Sequence, residues 1–204
     1  MEARSWLARL VCLPVLACGA QVIEFESGGL KYLTQTRNGV TVMFAHLPSQ
    51  VREYSIVQVA VSNGSSKTWT FRPSDFSFRL AVGRTIEARP ARKVISELIE
   101  RASRNDVIKL VTTYESGLYG MARASITNGY EQRRQAFAAE GSYGRIKAAA
   151  AASAIAFVET KLTPGASTDG AIFYPSEGKP LGPGKLIVQA GGTVFEFDTD
   201  TIAH

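Results

Sequence analysis

The residues best suited to nucleophilic or soft-metal chemistry are two cysteines and two histidines. Cys12 and Cys18 both lie within the first 20 residues. That segment has the pattern of an export signal, because Arg4 and Arg9 precede the short apolar stretch Leu10–Ala17 and small residues follow it. A chain cleaved before Gln21 would contain no thiol, and therefore no disulfide, cysteine-ligated zinc site or cysteine nucleophile.

The residues that end at Cys18 allow a second kind of processing. Val15–Cys18 resembles a bacterial lipobox, in which the cysteine is acylated and becomes the new N-terminus. Leu16 departs from that pattern, because its position usually holds a smaller or β-branched residue. Cys18 is the candidate lipidation site, and one acyl chain there would tether the protein to a membrane surface. In the alternative, residues 1–20 form the first strand or a buried helix of the mature fold.

The histidines and carboxylates have no spacing that specifies a reaction. Met43 and His46 are three apart on a predicted strand, so their side chains point to opposite faces and do not share one ion. No phosphate loop, nucleophile elbow or paired-histidine motif occurs. One acidic strand end suits either Ca²⁺ or a solvated face: Glu196, Asp198 and Asp200. The sequence therefore predicts no catalytic, cofactor-binding or metal-ligating residues, and a protein that is not an enzyme.

Composition and charge limit the class of protein. The 204 residues are 45% hydrophobic and 20% charged, as in a folded globular chain rather than a disordered one. Residues 84–147 contain 12 Lys and Arg against 7 Asp and Glu, which makes a basic island. Such an island attracts an anionic surface or is simply a solvated helix face. We expect a protein or another envelope component as partner, or a membrane surface through Cys18, and no nucleic acid.

Strands are predicted on both sides of a helical middle. Asn38-Gly39 is a hairpin signal between Leu30–Thr36 and Val40–Leu47, because both turn residues tolerate positive φ. Within Tyr54–Ser62 the side chains of Val57, Val59 and Val61 share one face and are expected to point into a core. The remaining predicted strands are Lys67–Phe71, Phe76–Val82, Gly170–Tyr174, Lys185–Ala190 and Thr193–Phe197.

The apolar spacing becomes helical after Arg84. One predicted helix follows Pro90 and carries an apolar stripe, and a second is capped by Asn105 or Asp106. A third covers Arg145–Leu162, whose alanine run favours helix and is too short to cross a bilayer. The first stripe consists of Val94, Ile95, Leu98, Ile99 and Ala102, and one face of the third helix of Ile146, Ala150, Ser153 and Phe157.

These elements predict an α+β fold built on one antiparallel β-sandwich. Neither strand-rich end has enough strands to close a sandwich alone, so residues 21–83 and 164–204 are expected to form it together. Residues 84–163 are then a long α-helical insertion between strands. The alternative is two domains, an N-terminal sheet and a C-terminal α+β unit, which would leave the last hairpins with exposed edges.

Two blocks of the sequence carry a family resemblance. The first block contains Val57–Val61, Asn63, Ser65, Trp69, Pro73, Asp75 and Phe76, and the second Gly170, Phe173, Tyr174, Leu186, Phe195 and Phe197. These blocks resemble a known type of exported bacterial domain, an immunoglobulin-like sandwich of unassigned function that is often found in lipoproteins. The resemblance implies the fold and export, and it says almost nothing about function. The helical insertion departs from the usual pattern.

We expect a non-enzymatic exported protein of the periplasm or cell envelope, a binding or structural module that presents its helical insertion to a partner. The alternative is a carrier of lipid or a small apolar ligand within the helices. A glycan or peptide hydrolase would have to use carboxylate pairs such as Glu97 with Glu100, or Glu115 with Glu131, which have no motif. The predicted partner surface consists of Arg101, Arg104, Tyr114, Tyr130, Arg133 and Arg134.

Overall fold

The computed structural model describes residues 21–27, 30–103, 105–106, 108–110, 112 and 144–199. Strands dominate this part of the chain, and helix is limited to short pieces. Helix α1 is Ala91–Arg101 and α2 is Gly144–Ile155, and the described residues between 105 and 112 are also helical. The strands are β1 (Val22–Ser27), β2 (Leu30–Arg37), β3 (Val40–Val51), β4 (Tyr54–Asn63), β5 (Trp69–Phe71), β6 (Phe76–Leu80), β7 (Thr85–Glu87), β8 (Thr160–Leu162), β9 (Ser167–Pro175), β10 (Gly184–Ala190) and β11 (Thr193–Asp198).

Two antiparallel sheets form the body of the protein, as expected for a β-sandwich. One has the strand order β1-β2-β3-β4-β9, and the other has the order β11-β10-β6-β7. Strands β5 and β8 pair separately. Strand β9 pairs with β4, where Val57 lies opposite Ile172, and β10 pairs with β6, where Phe78 lies opposite Leu186. Strands from both sides of the helices therefore lie in the same sheets.

The space between the two sheets is filled by apolar side chains from both of them. Val57, Val59 and Val61 of β4 are buried there, which confirms the face predicted from their alternation. Phe197 of β11 meets Phe44 of β3 edge-on, with ring centroids 5.2 Å apart. Aromatic pairs of this geometry add stability beyond the area they bury.

The opposite face of the five-stranded sheet is covered by helices. Tyr54, Ile56 and Phe173 on this face pack in one cluster with Val94 and Leu98 of α1. Helix α2 packs closely against α1. Its buried residues are four alanines and one isoleucine: Ala148, Ala149, Ala151, Ala152 and Ile155. The protein thus has three layers, helices, five-stranded sheet and four-stranded sheet. We call α1, α2 and the helical residues between 105 and 112 the helical layer.

The chain enters and leaves the helical layer across the free edge of β9. Before α1, the Arg89 amide donates to the Phe173 carbonyl at 2.7 Å, and after α2 the Phe157 amide donates to the Ala171 carbonyl at 2.9 Å. These two bonds satisfy carbonyls that an uncovered edge strand would expose. Ala156 packs with the helices, whereas Phe157 packs between the sheets. The backbone therefore passes from one core to the other within one residue.

Several boundaries differ from the sequence-based predictions. Strands β7 and β8 lie inside the stretch predicted as helical, residues 84–163, and β1 was not predicted. Helix α2 ends at Ile155 rather than Leu162, because the following residues pair with the edge of β9 and then form β8. This tertiary pairing overrides the helix propensity of the alanine run. Ser153, predicted on the packing face, is exposed. No described helix combines the length and apolarity needed to span a bilayer.

Candidate functional site

Of the residues predicted to form a partner surface, Arg101 is described, and it is exposed near the end of α1. Arg104, Tyr114, Tyr130, Arg133 and Arg134 lie outside the described residues, as does the candidate lipidation site Cys18.

Helix α1 turns opposite faces to the sheet and to solvent. It starts after Pro90, whose fixed φ suits the beginning of a helix, and its buried side chains are Val94 and Leu98. Ile99, predicted to lie in the apolar stripe, is instead 49% exposed, and Ile108 beyond the helix is 53% exposed. We call the exposed set the outer face, and it carries four cations, one carboxylate and two isoleucines: Arg92, Lys93, Ile99, Glu100, Arg101, Ile108 and Lys109.

A three-residue network fixes α1 to the sheet. The Tyr54 hydroxyl, from the start of β4, donates a hydrogen bond to Oε2 of Glu97 on α1. Nη2 of Arg89, in the segment before α1, donates to Oε1 of the same carboxylate at 3.1 Å. Both carboxylate oxygens of Glu97 are therefore bound by groups outside the helix, which restrains its rotation and sliding on the sheet.

The network holds Glu97 charged and Tyr54 neutral. The hydrogen bond from Tyr54 is the main cause that lowers the pKa of the Glu97 carboxyl, with Arg89 adding to it and burial opposing it. Burial, followed by the bond to Glu97 and its charge, raises the pKa of Tyr54 to about 12. The hydrogen bond to Glu97 also raises the pKa of Arg89. This combination keeps the phenol as donor and the carboxylate as acceptor across the neutral range, which suits a structural clamp.

A second clamp holds the helical residues that follow α1. The Ser103 amide and hydroxyl donate to Oδ2 of Asp106 at 2.7 and 2.9 Å, and Nη1 of Arg52 lies 3.4 Å from the same oxygen. Burial by itself would raise the pKa of Asp106, but the hydrogen bonds from Ser103 and the charge of Arg52 together lower it. The Asp106 amide in turn donates to Oγ of Ser103 at 3.4 Å, so Ser103 is the cap, rather than Asn105 or Asp106. The Ser-x-x-Asp spacing of a capping box is the sequence signal for it.

Acidification is expected to weaken the bonds by which Glu97 and Asp106 hold the helical layer, and so to reduce the stability of the protein. Glu97 and Asp106 both have lowered pKa values in the folded chain, so folding stabilises their charged forms. That contribution is complete above the unfolded carboxyl pKa and is lost as the pH falls through the lower folded-state pKa. The free energy of unfolding, measured by urea denaturation, should therefore decrease as the pH drops below about 4.5. Glu97→Gln should reduce this slope, and an unchanged slope would contradict the assignment.

An open cleft of about 820 Å³ lies at the end of the sandwich where β4 ends. Three chain reversals meet there: the β2–β3 turn, the loop from β4 to β5, and the β10–β11 turn. Most of the lining side chains are uncharged and polar, with one tryptophan and two cations among them. The lining residues are Asn38, Ser65, Ser66, Lys67, Thr68, Trp69, Thr70, Arg72, Gly191 and Thr193.

Buried Asn63 organises one wall of this cleft. Its side-chain NH₂ donates to the carbonyls of Lys67 and Leu162 at 2.8 and 3.0 Å, and its Oδ1 accepts from the amide and hydroxyl of Ser65. The Asn63 side chain therefore fixes the loop that follows β4 and ties it to Leu162 of β8. The Ser65 hydroxyl oxygen in turn accepts a hydrogen bond from Nε1 of Trp69 at 3.0 Å.

The opposite walls are also held by specific contacts. Nδ2 of Asn38 donates to Oγ1 of Thr193 at 2.8 Å, which joins the two turns. A Cβ atom on Gly191 would lie 2.6 Å from Cζ3 of Trp69, so only glycine lets this turn approach the indole so closely. The cleft is therefore shaped by bonds made within the protein.

The two described carboxylates of the acidic strand end considered for Ca²⁺ are not part of a ligand set among the described residues. Glu196 and Asp198 are exposed on β11, and Asp198 lies 3.9 Å from the ammonium of Lys185. Asp200 lies outside the described residues. Within residues that the structure describes, no three histidine, cysteine or carboxylate side chains come together as a metal site.

Among the described residues, two surfaces are candidates for binding a partner or ligand. They are the outer face of the helical layer and the cleft at the far end of β4. Each is positioned by hydrogen bonds that link residues from different strands or loops. Comparison of the chain with known protein families, with curated protein sequences and with solved structures finds no match.

Proposed function

We propose that this chain is a non-enzymatic, exported binding module of the cell envelope, and that its helical layer contacts a protein partner. In this proposal the β-sandwich is of the immunoglobulin-like kind and the region between β7 and β8 is its helical insertion. The pattern of residues 1–20 supports export, by signal cleavage or by acylation at Cys18.

The observation that carries the proposal is the division of α1 into a clamped face and an outer face. The clamped face is fixed by Tyr54 and Arg89 acting on Glu97. The outer face is then carried on a helix whose position is already fixed, so the helix itself needs no ordering on binding.

The chemistry of the outer face favours an acidic protein surface. The exposed set contains four cations and two half-exposed isoleucines, and Glu100 is the single carboxylate in it. Cations steer an anionic partner into contact, and apolar side chains at the centre supply affinity once water is displaced. An anionic lipid surface offers charge as well, so the experiment must distinguish it from a protein.

The proposal is tested by photocrosslinking in the native host. A photoreactive residue in place of Ile99 should give one discrete crosslinked protein, and Lys93→Glu in the same chain should weaken that band severalfold because it reverses a charge on the outer face. Val82, 85% exposed in the turn between β6 and β7, is the control position. Arg79→Glu, exposed on β6, is the control for total charge.

Three outcomes would contradict the proposal. The first is the same product from both labelled positions, and the second is no product from position 99. The third is binding to vesicles of anionic lipid that Lys93→Glu abolishes, which would assign the outer face to a membrane. The mass of the mature N-terminus tests export, because cleavage before Gln21, acylation at Cys18 and no processing each give a different mass.

A further inference from the structure

We propose that the cleft at the end of β4 binds an acidic oligosaccharide. This goes beyond the partner proposed for the helical layer, because the cleft lies at the sandwich end formed by three loops and uses none of the outer-face residues. The proposal rests on the kinds of side chain in the cleft, on how they are held, and on their charge.

The cleft combines an indole with hydroxyl and amide groups. A sugar ring has C–H groups on its faces and hydroxyls around its edge, so it matches an aromatic surface surrounded by short polar side chains. Trp69 is half-buried, and its Nε1–H already donates to Ser65, so the part of the indole left in the cleft is apolar. Ser66, Thr68 and Thr70 bring hydroxyls that both donate and accept hydrogen bonds.

The cleft is arranged before any ligand arrives. Asn63 makes three hydrogen bonds within the β4–β5 loop and a fourth to Leu162 of β8, and Asn38 joins its turn to Thr193. Gly191 allows the β10–β11 turn to lie against Trp69. A polar site binds weakly if its groups must first be ordered, so this internal bonding favours recognition. The volume of about 820 Å³ accommodates a ligand larger than one sugar.

The charge of the cleft favours an acidic sugar over a neutral one. Lys67 and Arg72 contribute cations, and none of the described lining residues is a carboxylate. Nε of Arg72 lies 3.2 Å from the Glu159 carboxylate, which offsets part of its charge. Lys67 is therefore the main cation of the cleft, and it is exposed.

Tryptophan fluorescence gives a direct readout of this cleft. The sequence contains two tryptophans, Trp6 and Trp69. With Trp6→Phe in the full chain, Trp69 becomes the sole indole whether or not the first 20 residues are removed. Titration with tetragalacturonate should then change the emission and saturate, whereas its fully methyl-esterified form, which keeps the rings and loses the charge, should bind at least about fivefold more weakly.

Two lysines provide a matched pair of variants. Lys67 accepts the Asn63 bond through its backbone carbonyl, and Lys179 likewise accepts a bond from Ser55 through its carbonyl, so either side chain can change without breaking these bonds. Ser55 and Asn63 lie at opposite ends of β4, about 26 Å apart at strand spacing. Lys67→Gln should weaken tetragalacturonate binding about fivefold, and Lys179→Gln should leave it unchanged.

The proposal is overturned by any of three results. One is the absence of saturable binding by tetragalacturonate at millimolar concentration. Another is equal affinity for the acidic and esterified forms, which removes the charge argument. The last is equal weakening by Lys67→Gln and Lys179→Gln, which reduces binding to the net charge of the protein. None of these results bears on crosslinking from position 99, so the two proposals stand or fail separately.

Discussion

Replacing Gly170 with alanine is expected to reduce the free energy of unfolding by about 3 kcal/mol. A Cβ atom there would lie 2.5 Å from Cα and 2.7 Å from the amide nitrogen of Phe157. These are backbone atoms, so no side-chain rotation relieves the clash. If the backbone at Phe157 moved away from β9 to relieve the clash, the hydrogen bond from the Phe157 amide to the Ala171 carbonyl would break and the edge of β9 would be uncovered. Urea denaturation followed by circular dichroism measures the loss.

Gly182→Ala is the control for this prediction. Gly182 has a φ of +69°, and no atom would lie within 4 Å of its added Cβ. Alanine there should reduce the free energy of unfolding by about 1 kcal/mol, because it adds only the cost of a left-handed backbone conformation. Gly170 is not among the glycines with positive φ, so its cost is purely steric. An equal loss of stability in the two variants would contradict the close contact between the Phe157 backbone and Gly170.

The same chemical change at two tyrosines is expected to destabilise the protein at one of them and not at the other. Tyr54→Phe removes the donor to the charged Glu97 carboxylate and should lower the free energy of unfolding by about 2 kcal/mol. Tyr174 is fully buried between the sheets, and its hydroxyl has no hydrogen-bond partner among the described groups. Tyr174→Phe should therefore be neutral or raise the free energy of unfolding, by up to about 1 kcal/mol.

The free energy of unfolding at alkaline pH provides an independent test of the Tyr54–Glu97 hydrogen bond. The pKa of Tyr54 is raised to about 12 in the folded chain, chiefly by burial. A raised pKa contributes stability that is complete below the unfolded value near 10 and is lost as the pH rises through the folded value. Wild-type stability should thus fall between about pH 10 and pH 12, and Tyr54→Phe should flatten that decline. Equal losses from Tyr54→Phe and Tyr174→Phe at neutral pH would argue against these assignments.

Local signals in the sequence located many of the strands and one hairpin turn. Asn38-Gly39 forms the expected turn, with φ values of +51° and +75°, because these residues adopt left-handed backbone at low cost. The alternation of Val57, Val59 and Val61 correctly identified the face between the sheets. Signals of this kind depend on a few neighbouring residues, so they do not depend on the tertiary contacts of the rest of the chain.

The candidate sites were less accessible from the sequence. Tyr54 and Glu97 are 43 positions apart, and Asn38 and Thr193 are 155 apart, so no local spacing brings them together. The cleft beside Trp69 and Asn63 depends on a third loop at Gly191, which is distant in the sequence. The Ser-x-x-Asp capping box was present as a local signal and was missed.

By itself, the sequence determined which segments extend, where several of them turn and which valines face a core, because these properties follow from side-chain alternation and local backbone preference. Tertiary structure alone decided that β4 and β9 are buried on both faces, that α2 stops at Ile155, and that Gly170 must lack a side chain. Each of these depends on which distant segment lies across a strand. That choice is made by the packing of whole layers rather than by the residues next to it in the chain.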